Sequence, residues 1–357
     1  MALLFQDGLD SGIHKWTSNS AAVTYSTTDG VYGEGAITLN RNTNDLANTI
    51  RKVFKTADNT DTSNPLTRFG FFMRTNTVVG TTSTIIEIGD QRDFTNTNCR
   101  IAITTAGILT PYRTGQNVTT ITGNTSAAYP SRLDDGNWHY VELETRFDTV
   151  AGKLDIYVDG TNVFSYAGNT NLTGNFRRVD YIQLGNIRNP TQISFDDVIV
   201  WDDTGANTIT GLAGPTRIYT LRPTADTAQA DSTPSTGVDR FAMVDDIGQP
   251  DGDGTYVNLP IYGKDVYEIA DFPISTANIR SASISLTFNS STYGRANVRP
   301  IAVANGVTWN GNTFGTISRT YGTPTLQFEI SRDFGNSNVS WTASSLSSLR
   351  IGVENVG

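Results

Sequence analysis

Two neighbouring stretches, Asp135-Gly136-Asn137-Trp138-His139-Tyr140-Val141-Glu142-Leu143 and Gly152-Lys153-Leu154-Asp155-Ile156-Tyr157-Val158-Asp159-Gly160, read together as a β-hairpin. In the first, His139, Val141, Leu143 and Phe147 alternate with Trp138, Tyr140, Glu142, Glu144 and Arg146. That period of two belongs to a strand with one face on a core and the other in water. In the second, Leu154, Ile156 and Val158 point one way while Lys153, Asp155, Tyr157 and Asp159 point the other. Asp159-Gly160 then predicts a tight turn, because glycine accepts positive φ without steric cost and aspartate tolerates it better than most residues.

Strand signals of the same kind recur at short intervals up to about residue 205, as in Ala36–Leu39, Arg68–Arg74, Ser83–Ile88 and Arg100–Ile103, with Gly, Asn, Asp and Thr clusters between them. Many short strands without a long helical period predict an antiparallel sandwich. A chain of 357 residues is long enough for about two domains. The apolar alternation lapses from Asp202 to Thr216, where Gly and Pro punctuate the chain, so the domains are expected at 1–210 and 217–357. In the second, strands are expected at Tyr256–Leu259, Asp265–Ile269, Ile279–Phe288, Ala296–Val303 and Leu326–Ile330, while Ala225–Val238 lacks a strand pattern. Leu346 and Leu349, three apart, predict one helical turn capped by Thr342 before a final strand. The expected class is all-β, two antiparallel β-sandwich domains.

The strings Gly136-Asn137-Trp138-His139-Tyr140-Val141 and Leu154-Asp155-Ile156-Tyr157-Val158-Asp159-Gly160 resemble the paired strands of the laminin-G-like, concanavalin-A-like jelly-roll superfamily. Tyr181–Gly185 and Ser194–Trp201 are similar to its closing strands. The resemblance implies a jelly-roll first domain of about 210 residues. It implies no particular chemistry, since the same sandwich serves lectins, glycosidases, adhesion modules and structural proteins. Phe241 to Val257, with its Asp245-Asp246 and Asp251-Gly252-Asp253-Gly254, and the ending Trp341 to Glu354 resemble the carboxy-terminal module of tailed-bacteriophage virion proteins. The opening Met1-Ala2-Leu3-Leu4-Phe5-Gln6-Asp7-Gly8-Leu9-Asp10 is similar to the start of such proteins.

The formal net charge is -9, from 26 basic and 35 acidic residues, and the basic residues are scattered singly. Nucleic acid is not expected as a partner, because phosphate neutralisation needs clustered Lys and Arg. The opening residues lack the basic region of a secretory signal, and no apolar run reaches the ~18 residues a membrane helix needs, so neither export by that route nor membrane insertion is expected. The single cysteine, Cys99, reads as a strand residue packed as a small hydrophobe.

Several constellations invite chemistry. Asp251 and Asp253 on a glycine-rich loop, and Asp196 with Asp197 beside the last strand of the first domain, are candidate calcium ligands, set against a plain turn role. Asp196 and Asp197 would face opposite sides of a strand, so both could ligate one ion only across a bulge. Glu142 and Glu144 lie on one face roughly 7 Å apart, within glycosidase range. Arg146 beside them favours a solvated, charge-balanced surface. His139, on the core side with Val141 and Leu143, reads as a hydrogen-bonded core histidine. His14 matches no ligand spacing, and no nucleophile elbow or phosphate loop is present, so the chain is expected not to be an enzyme. Trp138, Tyr140 and Tyr157 share the polar face of the hairpin and are the candidate glycan patch, with packing under a covering segment as the competing reading.

These readings imply a non-catalytic bacteriophage virion structural protein, made in the host cytoplasm and displayed on the particle as a homo-oligomer with other capsid or tail proteins as partners. Capsid decoration is favoured over a tail-associated adsorption role because no coiled-coil or β-helical shaft is evident. The alternative is a carbohydrate-binding adhesion module of a tail fibre that reads host surface glycans.

Overall fold

In the computed structural model the described residues are all but 1, 11, 14, 17, 20–22, 40–48, 55–64, 76–78, 91–98, 114–118, 123, 126–131, 171–178, 186–191, 205–210, 247–250, 252–253, 277, 289–296, 315–325, 331–332 and 336–339. They form an almost wholly β structure in two compact units, one of residues up to 204 with 211–218 and the other of residues 219–357. Among the described residues no helix is long and apolar enough to cross a membrane.

The first unit is a sandwich of two antiparallel sheets. One sheet runs Asn124–Thr125, Thr161–Gly168, Gly152–Val158, His139–Arg146, Thr67–Thr75, Ile193–Asp202, Ala36–Leu39, Val23–Ser26, with Ala2–Asp7 also paired to Ile193–Asp202. The other runs Thr119–Thr120, Leu109–Arg113, Cys99–Ile103, Ser83–Gly89, Tyr181–Gly185, Thr49–Val53, Ser18–Asn19. The opening hairpin forms as read, with Val141 opposite Val158 and Leu143 opposite Ile156. Asp159 and Gly160 have φ of 49° and 79°, the two positive values of the tight turn that leads into Thr161–Gly168. Inward side chains such as Phe69, Phe71, Val141, Leu143, Ile156, Ile86, Ile101, Ile182 and Phe195 build one shared core. Cys99 belongs to it, and burial pushes its thiol up to about 12. His139 sits at the core's edge between Asp159 (2.8 Å) and Asp135 (3.1 Å). Burial opposes its charge, but those two hydrogen bonds outweigh that and hold its pKa above the ordinary imidazole value. His14 lies outside the described residues.

The second unit has a five-stranded sheet in the order Pro223–Ala230, Lys264–Ile269, Arg350–Asn355, Val298–Ala304, Val307–Asn310. The pair Ala282–Leu286 and Leu326–Ile330 contributes Ile284 and Ile330 to a core shared with Ile269, Ala302, Ala304, Trp341 and Leu346. Thr342 caps the short helix Ala343–Ser347, accepting from the Ser345 N–H while the Ser345 hydroxyl accepts from the Thr342 N–H, as Leu346 and Leu349 predicted. One expectation is corrected. Pro223–Ala230, partly within the stretch read as patternless, is an edge strand with no fully buried residue and two register irregularities. Its proline stands first, where no ladder donor is required, and with neither face sealed there is no alternation to read.

Gly352 is the tightest point of this sheet. It pairs with Val266 on one side and Ile301 on the other, and a Cβ there would stand 1.9 Å from the Asp265 carbonyl oxygen. Gly352→Ala is expected to destabilise the second unit by about 1–3 kcal/mol, the usual cost of overpacking. Faster amide hydrogen exchange in Val298–Ala304 and Arg350–Asn355 is the expected readout, and unchanged exchange would refute it.

Candidate functional site

The sandwich offers two outward faces, and the hairpin aromatics lie on the first. Tyr140 is only 1% exposed: its ring packs on Phe72 at 4.8 Å, and its hydroxyl occupies the space a side chain at Gly70 would need. Trp138 is half-buried under the Arg74 guanidinium, 4.8 Å above its ring, and Tyr157 is half-buried opposite Glu142. The structure does not gather these three rings into one open stacking surface. Two residues beyond Tyr140, the Glu142 carboxylate accepts from the backbone N–H groups of Ala213 (2.6 Å) and Gly214 (3.1 Å). The Trp201 indole donates to the Gly211 carbonyl at 3.3 Å, and the Ile218 N–H donates to Asp197 at 2.9 Å. Residues 211–218 are thus strapped across this face. Glu142 and Glu144 are 2% and 7% exposed, which corrects the expectation of a solvated surface. Charge balance does hold at Glu144, which accepts from Arg68 Nε at 2.7 Å and from Lys153. Burial alone would raise its carboxyl, and those two cations bring it below the ordinary range.

At the rim, Asp196 and Asp197 can act together only across a bulge, and a register shift lies between Asp196 and Ile199, with Asp197 at a φ of 48°. Asp196 accepts from the Val31 N–H (2.8 Å) and the Asp197 N–H (2.7 Å), and Asp197 Oδ1 from Ile218. The second oxygen of Asp197 is buried with no hydrogen-bond partner. Burial, with Asp10 and Asp7 nearby, pushes Asp196 up to about 7. Burial, with Asp196 adjacent, pushes Asp197 up to about 9. Among the described residues no three His, Cys, Asp or Glu side chains are grouped to hold a metal ion. Asp251 closes a turn by accepting from the Thr255 N–H (2.9 Å) and hydroxyl (3.0 Å), and Asp253 lies outside the described residues.

The outward face of the second sheet carries a different arrangement. Strand register places Arg51, Gln183, Glu87, Arg100 and Tyr112 side by side across five strands, with Gln183 and Glu87 buried (6% and 9% exposed) and Arg51, Arg100 and Tyr112 half-buried. Arg51 Nε donates to Gln183 Oε1 at 2.9 Å, and Gln183 Nε2 donates to Glu87 Oε2 at 2.8 Å. The Arg51 guanidinium also lies 5.1 Å from the centre of the Tyr181 ring, and that of Arg100 lies 4.8 Å above Tyr112. Next to this row is a cavity of about 440 Å³ lined by Gly80, Thr81, Thr82, Thr84, Arg100, Ala102 and Thr105. Sequence reading missed this row. Its only trace there is a single polar residue between apolar ones in Ile182-Gln183-Leu184, Ile86-Glu87-Ile88 and Cys99-Arg100-Ile101.

No family model and no curated protein matches the chain. Among solved structures it is similar to the alginate lyase Aly36B (15% identity, 47% of this chain and 80% of that one, TM-score 0.35). It is also similar to a carbohydrate esterase of the Shiga toxin-encoding bacteriophage phi24B (12%, 51% and 88%, 0.37). A third is domain 4 of a Geobacillus stearothermophilus arabinanase, solved with arabinotriose (18%, 51% and 76%, 0.33). At this identity and these TM-scores the likenesses assign no role to this chain. The expectation that the chain is not an enzyme is not kept: lyase, esterase and arabinanase structures stand among those it is similar to, and the lack of a sequence motif excludes no catalysis.

The acidic pair generates a pH test. Both folded-state values are raised, so this contribution to stability is complete below about pH 4 and is lost as pH rises through about 7 and 9. Asp197→Asn keeps an acceptor for the Ile218 N–H, suits the positive φ, and removes a group that must take up a proton to be buried above about pH 4. At pH 8 it is expected to raise stability by roughly 1–3 kcal/mol, with no gain at pH 4. Urea midpoints across this range measure it, and an equal gain at both pH values would refute the assignment.

Proposed function

We propose that the first unit recognises a carbohydrate along the outward face of its seven-stranded sheet, and that the chain serves a bacteriophage particle as a reader of host surface glycans. The observation that carries this is the row Arg51–Gln183–Glu87–Arg100–Tyr112 beside a hydroxyl-lined cavity. A sugar ring presents donors and acceptors around an apolar body, so it suits the half-buried Arg51 and Arg100 and the ring of Tyr112 at the end of the row, with the buried Gln183 and Glu87 as support between them. The hydrogen bonds from Arg51 to Gln183 and from Gln183 to Glu87 hold these side chains in place before a ligand arrives, which lowers the ordering cost of binding. The other outward face is closed off at Glu142 by its strap.

The particle setting rests on the resemblance of the second half and the opening residues to virion proteins. A glycan-reading face suits an adsorption role at the tail more than decoration of the head. Detection in purified virions is the expected result, and absence from them would end that part of the proposal.

For the glycan site, Arg51→Ala and Tyr112→Ala are each expected to weaken binding on a glycan array, followed by calorimetry, by about tenfold or more, the loss of one good polar or stacking contact. Trp138→Ala, on the other sheet, is expected to leave affinity unchanged. The reverse pattern would move the site to the hairpin face. Assaying the bound oligosaccharides for cleavage products reads turnover at the same site.

A further inference from the structure

We infer that the cavity at Arg100 is an anion subsite that takes the carboxylate of an acidic sugar, such as a uronic or sialic acid residue. This deepens the glycan reading above and rests on it. Arg68, Arg74, Arg132 and Arg217 of this unit each meet a carboxylate, namely Glu144, Asp29, Asp134 and Glu34. Arg100, like Arg113 and Arg146, meets none among the described residues, and its Nε, like those of Arg74, Arg113, Arg146 and Arg217, is buried without a hydrogen-bond partner; of these arginines Arg100 is the one that lines the cavity. Its nearest acidic neighbour in the sheet, Glu87, directs Oε2 to Gln183 instead. The face of the Arg100 guanidinium is committed to the Tyr112 ring, which stiffens the group while leaving its edge for a planar, bidentate acceptor.

The walls complete the chemistry. Thr81, Thr82, Thr84 and Thr105 offer hydroxyls that donate or accept, as sugar hydroxyls require, and none carries a charge that would repel an anion. A volume of about 440 Å³ falls in the range of small-ligand sites. On a chain of net charge -9, a polyanion has little general attraction, so this selectivity depends on the local guanidinium.

The test uses the full chain and matched ligand pairs that differ only in charge: oligogalacturonate against its methyl ester, and sialyllactose against lactose. Dextran sulfate against dextran separates sulfate from carboxylate. At least about tenfold tighter binding of one carboxylated member is expected, weakened by salt, lost in Arg100→Gln and partly kept in Arg100→Lys. Thr82→Val, at the exposed rim, is expected to weaken the same ligand and serves if Arg100→Gln fails to fold. Equal binding of charged and neutral partners would overturn this inference and leave the glycan reading standing. Preference for dextran sulfate alone would overturn the carboxylate assignment. No binding of any sugar, on these pairs or on the array, would overturn the glycan reading itself.

Discussion

Burial of one face of each sheet against the other constrains everything else in the first unit. Phe69, Phe71, Val141, Leu143 and Ile156 from one sheet, with Ile86, Ile101 and Ile182 from the other, enclose a single apolar core. Because strand side chains alternate, that burial commits every second residue inward and hands the remaining ones to the two outward faces. Recognition by this unit draws on those remaining residues and on the turns that join the strands, and each outward face has acquired a distinct character.

The outward face of the hairpin sheet is occupied by polar burial. Glu142 is taken from water and compensated by two backbone N–H groups, Glu144 by Arg68 and Lys153. Such groups are costly only when left unmatched. Asp265 in the second unit shows the same economy: fully buried, it accepts from the Ser232 N–H and hydroxyl and from the Tyr267 hydroxyl, while burial and the adjacent carboxylate raise the Tyr267 phenol. Asp197 departs from it, with one oxygen engaged and the other buried without a partner beside Asp196. That departure makes stability at the rim of the first unit dependent on pH.

The second sheet spends its outward residues differently. Arg51, Gln183 and Glu87 satisfy one another across three strands, which makes a rigid and largely buried polar row, whereas Arg100 is held by a ring and not by a carboxylate. What separates this face from the strapped one is the threonine-lined cavity into which Arg100 is set.

The alternation in the hairpin, the Asp159-Gly160 turn, the closing strands and the helical turn at Thr342 were legible in the residues themselves, because each depends on neighbours two to four positions away. Asp196 and Asp197 were legible as a pair, with the condition that a bulge must join them, but the bulge is a property of pairing and had no local sign. The edge strand Pro223–Ala230 went unread because neither of its faces is sealed. The row from Arg51 to Tyr112 was invisible for a related reason: its members come from five strands spread along the chain from residue 51 to residue 183. By itself, then, the sequence determined which residues turn inward and that the fold is built of antiparallel ribbons, since side-chain period is a local property. Register, and with it which polar residues become neighbours and which face the strap at 211–218 closes, was decided only by tertiary structure, because hydrogen-bonded pairing between distant strands sets it.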